Sequence, residues 1–158
     1  MDLYLVRHGQ AESPAGDPER GLTDLGIKQA DAAAEWAAEA GARVTQIWHS
    51  GKKRAVETAE IFAKHLHPPG GVLQAGGLLP NDDVVPVADL VESESESVMI
   101  VGHLPFLPRL ASVLVAGDPE RVGFGMFEGS VVCLHRRDGR WYAKWMVSPN
   151  EVLSKSSP

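Results

Sequence analysis

Leu3-Tyr4-Leu5-Val6-Arg7-His8-Gly9 is the stretch on which the fold turns. Its first four residues form a short apolar strand that starts almost at residue 1. A guanidinium, an imidazole and a glycine end that strand. A polar loop rich in Gly, Pro and Asp follows, from Ala11 to Gly21. In open α/β sheets the ligand crevice lies beyond the carboxyl ends of the strands, so a charged tip on an apolar strand marks a candidate site.

Working outward, apolar runs alternate with helical patterns, as βαβ units do. Thr23 reads as an N-cap with Asp24 in the first turn, where the helix dipole favours an acid. Ile27, Ala30, Ala34 and Ala37 or Ala38 keep helical spacing up to Gly41, a natural helix end. Val44–Trp48 reads as a second strand. Ser50 is placed to cap a helix with the apolar line Ala55, Ala59, Phe62 and Leu66, which Pro68-Pro69-Gly70-Gly71 ends. Val72–Leu79 is a weaker strand interrupted by Gly76-Gly77, and Asn81 or Asp82 opens a short helix towards Leu90. After the acidic surface loop Glu92–Ser97, Val98–Val101 is an uninterrupted apolar run, as a central strand should be. A helix from about Phe106 to Val115 follows. Ser130–His135 and Trp141–Val147 alternate like strands around Asp138-Gly139, a hairpin-turn signal. The expected fold class is α/β: three layers, α/β/α, around a mostly parallel sheet with a C-terminal antiparallel hairpin. Residues 1–153 are expected to form one domain and residues 154–158 a flexible tail.

Size and composition narrow the function classes. The 158 residues, 44% hydrophobic and 23% charged, suit one globular domain and exclude a disordered or collagen-like chain. A net charge of −6 makes nucleic acid and anionic membrane surfaces unlikely partners, while a local basic site remains open. One cysteine, Cys133, excludes an internal disulfide and is compatible with a reducing cytoplasm. The N-terminus carries Asp2 where a signal peptide has basic residues, and no apolar run approaches a membrane span.

Three segments put an ionisable group just after an apolar strand or at the start of the next helix: Arg7-His8-Gly9, Arg54 and Gly102-His103. Converging at one sheet edge, they make a cationic pocket on an acidic protein. Arginine forks match phosphate oxygens and stay charged at any accessible pH. A histidine there is a nucleophile if one ring nitrogen is free and the other is fixed as a donor. Gly9 lets the backbone bend close, so its carbonyl is the natural partner for the far nitrogen of His8. Read singly, the other polar residues are bland. Thr23 and Ser50 are helix caps and Thr58 packs. His65 and His67 sit at a helix end rather than on a metal, His135 faces solvent, and His49 simply precedes the Ser50 turn, a place in the pocket being its minority reading.

The motifs also resemble a known family. Leu3–Gly9 is similar to the signature of the histidine phosphatase (phosphoglycerate mutase-like) superfamily. Leu22-Thr23-Asp24-Leu25-Gly26 resembles its L-T-x-x-G helix start. Ser50-x-x-x-Arg54-Ala55-x-x-Thr58-Ala59 resembles its S-x-x-x-R-A-x-x-T-A helix, and Val101-Gly102-His103-Leu104-Pro105 its second-histidine turn. The small size, Leu79-Pro80-Asn81-Asp82-Asp83 and Met146-Val147-Ser148-Pro149 look like the SixA-type phosphohistidine phosphatases. The resemblance implies that His8 takes the phosphoryl group and that Arg7, Gly9, Arg54 and His103 hold the phosphate. It implies two-step transfer through phospho-His8, with inorganic phosphate as product and neither metal nor other cofactor. The implied partner is a phosphorylated protein bearing phosphohistidine, or a small phosphorylated substrate, in the cytoplasm.

The chain departs from the family pattern in three places. Gly51-Lys52-Lys53 follows Ser50 where proline is common. Arg20-Gly21-Leu22 stands where R-P-L is frequent, which leaves Arg20 without a role. The glutamate that donates a proton in larger relatives has no obvious equivalent, and Asp82 is the candidate in its region. An imidazole leaves more readily than an alkoxide, because its conjugate acid has a pKa near roughly 6.5. A P–N substrate therefore asks less of a proton donor. A small-molecule phosphomonoesterase and a non-catalytic phosphate-binding module are the alternatives.

Overall fold

The structure, a computed structural model, describes residues 1–156, with side chains described through residue 153. Its elements in chain order are β1 (Asp2–Arg7), α1 (Asp24–Glu39), β2 (Gln46–His49), α2 (Lys53–Leu66), β3 (Val72–Gln74), α3 (Val85–Glu92), β4 (Val98–Gly102), α4 (Phe106–Ala116), β5 (Val131–Arg137), β6 (Arg140–Val147) and α5 (Pro149–Ser156). The strands form one six-stranded sheet in the order β3-β2-β4-β1-β5-β6. The pairs β3–β2, β2–β4 and β4–β1 are parallel; β1–β5 and β5–β6 are antiparallel. This is the expected mixed sheet, closed at one side by the hairpin that turns at Asp138-Gly139.

Period-two side-chain direction builds two cores, one on each face of the sheet. Leu3, Leu5, Val98, Ile100, Val132 and Leu134 face Val87 and Val91 of α3 and Phe106, Leu107 and Leu110 of α4. Tyr4, Val6, Met99, Val101, Val131 and Cys133 face α1 and α2. The alanines Ala30, Ala33, Ala34 and Ala37 of α1 and Ala55 and Ala59 of α2 are all fully buried there, so small side chains let two helices pack closely over one sheet face. Trp36 packs edge-on against Trp145, with ring centroids 4.9 Å apart.

Thr23 caps α1 as expected, its hydroxyl accepting the Gly26 N–H at 3.0 Å. Three expectations are corrected. The strand expected over Val72–Leu79 ends at Gln74, and Gly77 turns with φ +83°. The short helix begins at Val85 rather than at Asn81 or Asp82, because Asp82 closes the preceding turn by accepting the Leu79 N–H at 2.9 Å, while Asp83 accepts the N–H of Val85 at 3.0 Å where the helix starts. Ser50 does not cap α2, whose N-cap is Lys52 without a side-chain bond. The expected domain end at residue 153 falls within α5, and Ser157 and Pro158 of the expected tail lie outside the described residues. Among the described residues no helix is long and apolar enough to cross a membrane.

Candidate active site

Sheet register brings three strand ends together. Arg7 of β1 lies beside Gly102 of β4, and His49 of β2 beside Val101 of β4. The next residues along those strands are His8, His103 and Ser50. The backbone N–H of His8 donates to the Gly102 carbonyl at 3.0 Å, and the rings of His8 and His103 stand 5.2 Å apart between centroids.

The His8 ring is oriented by its neighbour. Nδ1 lies 2.7 Å from the Gly9 carbonyl oxygen. A carbonyl only accepts, so Nδ1 carries the proton and Nε2 keeps its lone pair. Burial pushes the His8 pKa down to about 4; the Gly9 bond opposes this, and the charges of Arg54, Arg7 and Arg20 add to it. At neutral pH the ring is an uncharged imidazole with one free nitrogen, which is what nucleophilic attack needs.

His103 is tied from its other side. Its Nε2 lies 2.6 Å from Ser50 Oγ, and the Lys52 N–H donates to that oxygen at 3.4 Å. This contact ties the His103 ring to the loop that follows β2. Burial lowers the His103 pKa to about 3, with His8, Arg54, Lys52 and Arg20 pushing the same way.

The arginines face inward. Arg7 donates through Nη1 to the Met126 carbonyl at 3.0 Å, and its backbone is held by Ser130 and Gly129 at the start of β5. Arg54 lies in the first turn of α2; burial and then Arg20 lower its pKa, and it remains a cation. Among the described residues, four buried side-chain nitrogen or oxygen atoms have no hydrogen-bond partner: Arg7 Nε, Arg54 Nε, His103 Nδ1 and Ser148 Oγ. Three of the four belong to the cluster. A buried donor without an acceptor costs about 1–3 kcal/mol. The oxygens of a tetrahedral anion would relieve that cost.

Two glycines explain motifs in the sequence. A Cβ at Gly9 would sit 2.5 Å from the carbonyl oxygen of Gly26, and one at Gly26 would meet the Gln10 carbonyl oxygen. The loop after β1 and the start of α1 touch backbone to backbone, with no room for a side chain.

Five of the six residues singled out in the sequence, Arg7, His8, Gly9, Arg54 and His103, gather at this edge. Asp82 is not brought into hydrogen-bond contact with them, because its carboxylate holds the Leu79 turn. Three contributors were read as bland or left without a role. Ser50, expected as a helix cap, instead bonds His103. Thr58 was read as packing; it accepts the Gly9 N–H at 3.1 Å and donates to the Arg54 carbonyl at 2.8 Å. Arg20 had no role, yet its charge acts on His8, Arg54 and His103. Ser50 and Thr58 carry a positional signal, one just past β2 and the other one turn after Arg54, whereas Arg20 lies mid-loop, far along the chain from any strand end. His49 is buried beside the site, where its Nδ1 accepts the Gly51 N–H at 3.0 Å. His65 pairs with Asp31 at 2.8 Å, and His135, expected to face solvent, is part-buried against Asp2 at 2.7 Å.

Comparison with known proteins agrees with this architecture. Residues 3–74 match the sequence model of the Histidine phosphatase superfamily (branch 1). The mitochondrial serine/threonine-protein phosphatase PGAM5 of Rattus norvegicus is 38% identical over 65 residues, which are 40% of this chain and 23% of that protein. The chain thus matches about a quarter of the length of these curated relatives. The protein histidine phosphatase SixA complexed with tungstate superposes with a TM-score of 0.86 at 24% identity, covering 96% of this chain and 99% of that one. A phosphoserine phosphatase from Entamoeba histolytica in complex with 3-phosphoglyceric acid gives 0.71 at 18% identity, covering 93% and 96%. Residues 3–74 thus resemble the Histidine phosphatase superfamily in sequence, and nearly the whole chain has the SixA-like, phosphoglycerate mutase-like fold.

Proposed function

We propose that this chain is a metal-independent phosphatase that removes the phosphoryl group from phosphohistidine on a protein, with His8 as its transient carrier. The observation that carries the reading is the pairing of a neutral His8, fixed through Nδ1 on Gly9, with the three buried, unpartnered nitrogens of Arg7, Arg54 and His103. In the first step His8 Nε2 attacks phosphorus as the bond from phosphorus to the substrate imidazole breaks, and that ring, already carrying a proton on its other nitrogen, leaves as neutral imidazole. In the second, water attacks phospho-His8, inorganic phosphate departs and the ring returns to its starting form. The surrounding donors stabilise charge on the equatorial oxygens throughout.

The P–N substrate is favoured by the charges at the site. Apart from His8 beside His103, the charges acting most strongly on these two rings are the cations Arg7, Arg20, Lys52 and Arg54. An alkoxide leaving group needs a proton from a general acid, and an imidazole needs far less help. The tungstate described for the similar SixA structure, a tetrahedral oxyanion, is the kind of group this cluster fits. The second reading, a small-molecule phosphomonoesterase, draws support from the phosphoserine phosphatase of the same fold. The reaction is assigned to the cytoplasm, a compartment with which a single buried cysteine is compatible.

Incubation with a protein labelled on phosphohistidine tests the proposal. An acid-labile, base-stable label on the enzyme, absent from His8→Ala, is the expected result. No label on the wild-type enzyme under trapping conditions rejects it. Turnover of sugar and nucleotide phosphates in preference to phosphohistidine favours the second reading.

A further inference from the structure

Beside the reaction pocket a cleft of about 510 Å³ is lined by Pro18, Glu19, Arg20, Gly51, Lys52, Lys53 and Arg54. Arg54 belongs to both, so the cleft continues the pocket outward over the start of α2. Four of its seven lining residues are cations on a chain whose net charge is −6. They are not equivalent. Lys53 is already paired, with Asp17 at 3.2 Å and Glu19 at 3.8 Å. Among the described residues no ion pair involves Arg20, Lys52 or Arg54.

Arg20 is held there by a built loop. Its backbone has φ +55°, a left-handed conformation that costs a non-glycine residue on the order of 1 kcal/mol or more. Asp17 fixes it: the Arg20 N–H donates to the Asp17 carbonyl at 2.9 Å, and the Asp17 carboxylate accepts from Glu19 at 3.0 Å and Gly21 at 2.9 Å. Glu57 of α2 accepts the Leu22 N–H at 2.9 Å, and Lys53 reaches Asp17 from the same helix. The Nε of Arg20 is spent on the Glu12 carbonyl at 3.1 Å, which leaves the outer nitrogens for a ligand. Lys52 is exposed on the facing loop, where Gly51 at φ +90° makes the turn.

From this juxtaposition we infer that the cleft is an acidic-residue subsite: Arg20 and Lys52 take a carboxylate that flanks the phosphohistidine of the protein substrate while Arg54 keeps the phosphoryl group. This rests on the protein-phosphohistidine reading and adds a sequence preference to it. Two unpaired cations around one solvent-accessible carboxylate give a modest, salt-sensitive preference, roughly fivefold in affinity.

Three peptides test it, each carrying a non-hydrolysable phosphohistidine mimic with Glu, Gln or Lys at the neighbouring positions. Affinities are measured by calorimetry at low and at high salt. The expected order is Glu tighter than Gln by about fivefold and Gln tighter than Lys, narrowing at high salt. In Lys52→Glu the Glu-over-Gln ratio inverts, and in Arg20→Gln it falls below twofold. The Gln peptide serves as the fold control within each variant. Equal binding of all three peptides by the wild-type enzyme overturns the subsite and leaves the phosphohistidine reading standing. Binding of inorganic phosphate with no binding of any peptide overturns both.

Discussion

The hydroxyl of Thr58 joins the two halves of the site. It accepts the Gly9 N–H at 3.1 Å and donates to the Arg54 carbonyl at 2.8 Å. Gly9 in turn holds the His8 ring, so one buried oxygen sets the loop that orients the nucleophile against the helix that carries an arginine. Thr58→Val keeps the shape and leaves the Gly9 N–H without an acceptor. It is expected to lower stability by about 1–3 kcal/mol. It should lower kcat roughly tenfold with a smaller change in KM, since the loss falls on alignment rather than on ground-state binding. Thr58→Ser should recover most of both. Equal kcat in Thr58→Val and wild type would reduce Thr58 to packing.

Gly26 is expected to be intolerant of any side chain. Its missing Cβ is where the Gln10 carbonyl oxygen sits, and Gly9 meets the Gly26 carbonyl oxygen from the other side. Both neighbours are backbone and cannot rotate away. Gly26→Ala should therefore cost about 1–3 kcal/mol, measured by urea unfolding, and loosen the His8 loop as well. Gly41→Ala is the contrast: its Cβ would meet nothing, and only its φ of +87° opposes the change.

Both site histidines should resist protonation. Burial holds His8 near pKa 4 and His103 near 3, each below the ordinary histidine value. The sign for stability follows. In the unfolded chain both rings take up protons as pH falls through about 6.5, while in the fold they do not until about 4 and 3. Between those limits the unfolded state binds more protons, so stability is full above about pH 6.5 and declines as pH falls through the window. Nitrogen-detected NMR at pH 6 should show His8 as the neutral Nδ1–H tautomer. His8→Asn should flatten the decline in unfolding free energy between pH 6.5 and 4. A charged His8 ring at pH 6 would remove the free nitrogen on which the mechanism depends.

Much of this site was legible along the chain because it is local to strand ends. Leu3–Val6 and Val98–Val101 are apolar runs whose next residues are charged or ionisable, and that pattern alone located Arg7, His8 and His103. Arg54 followed from the helix start after the second strand. Ser50 escaped because its partner is 53 residues away, across a boundary between strands that only the order β2-β4-β1 makes. Arg20 escaped for a similar reason. Its placement depends on Asp17 and Glu57 holding a loop whose composition reads only as polar. The short helix after β3 was misplaced because Asp82 and Asp83 are good cap residues. Here Asp82 closes the Leu79 turn instead, and Asp83 bonds the N–H of Val85, where the helix starts.

Removing an arginine should cost the transition state more than the ground state. Arg54→Ala deletes a donor whose Nε is buried and unpaired, and leaves its share of phosphoryl charge unmet. A loss of about 10²–10³ in kcat is expected, as for one oxyanion donor, with weaker binding of tungstate measured by calorimetry. Arg54→Lys keeps the charge and loses the fork, so it should recover only part of the rate. Full activity in Arg54→Lys would mean that point charge alone suffices.

The cationic character of the site gives a last prediction, about leaving groups. No carboxylate is among the leading charges on His8 or His103, and Asp82 holds the Leu79 turn. An ester's leaving oxygen must then depart with little proton assistance, and the burden falls on its own basicity. Across a series of aryl and alkyl phosphates, log kcat/KM should fall steeply as the alcohol pKa rises. Phosphohistidine should lie well above that line, because a proton on its other ring nitrogen lets the ring leave as a neutral imidazole. A shallow slope would reveal a proton donor that the charges around His8 do not disclose. A steeper slope in Asp82→Asn than in the wild type would give that proton to Asp82.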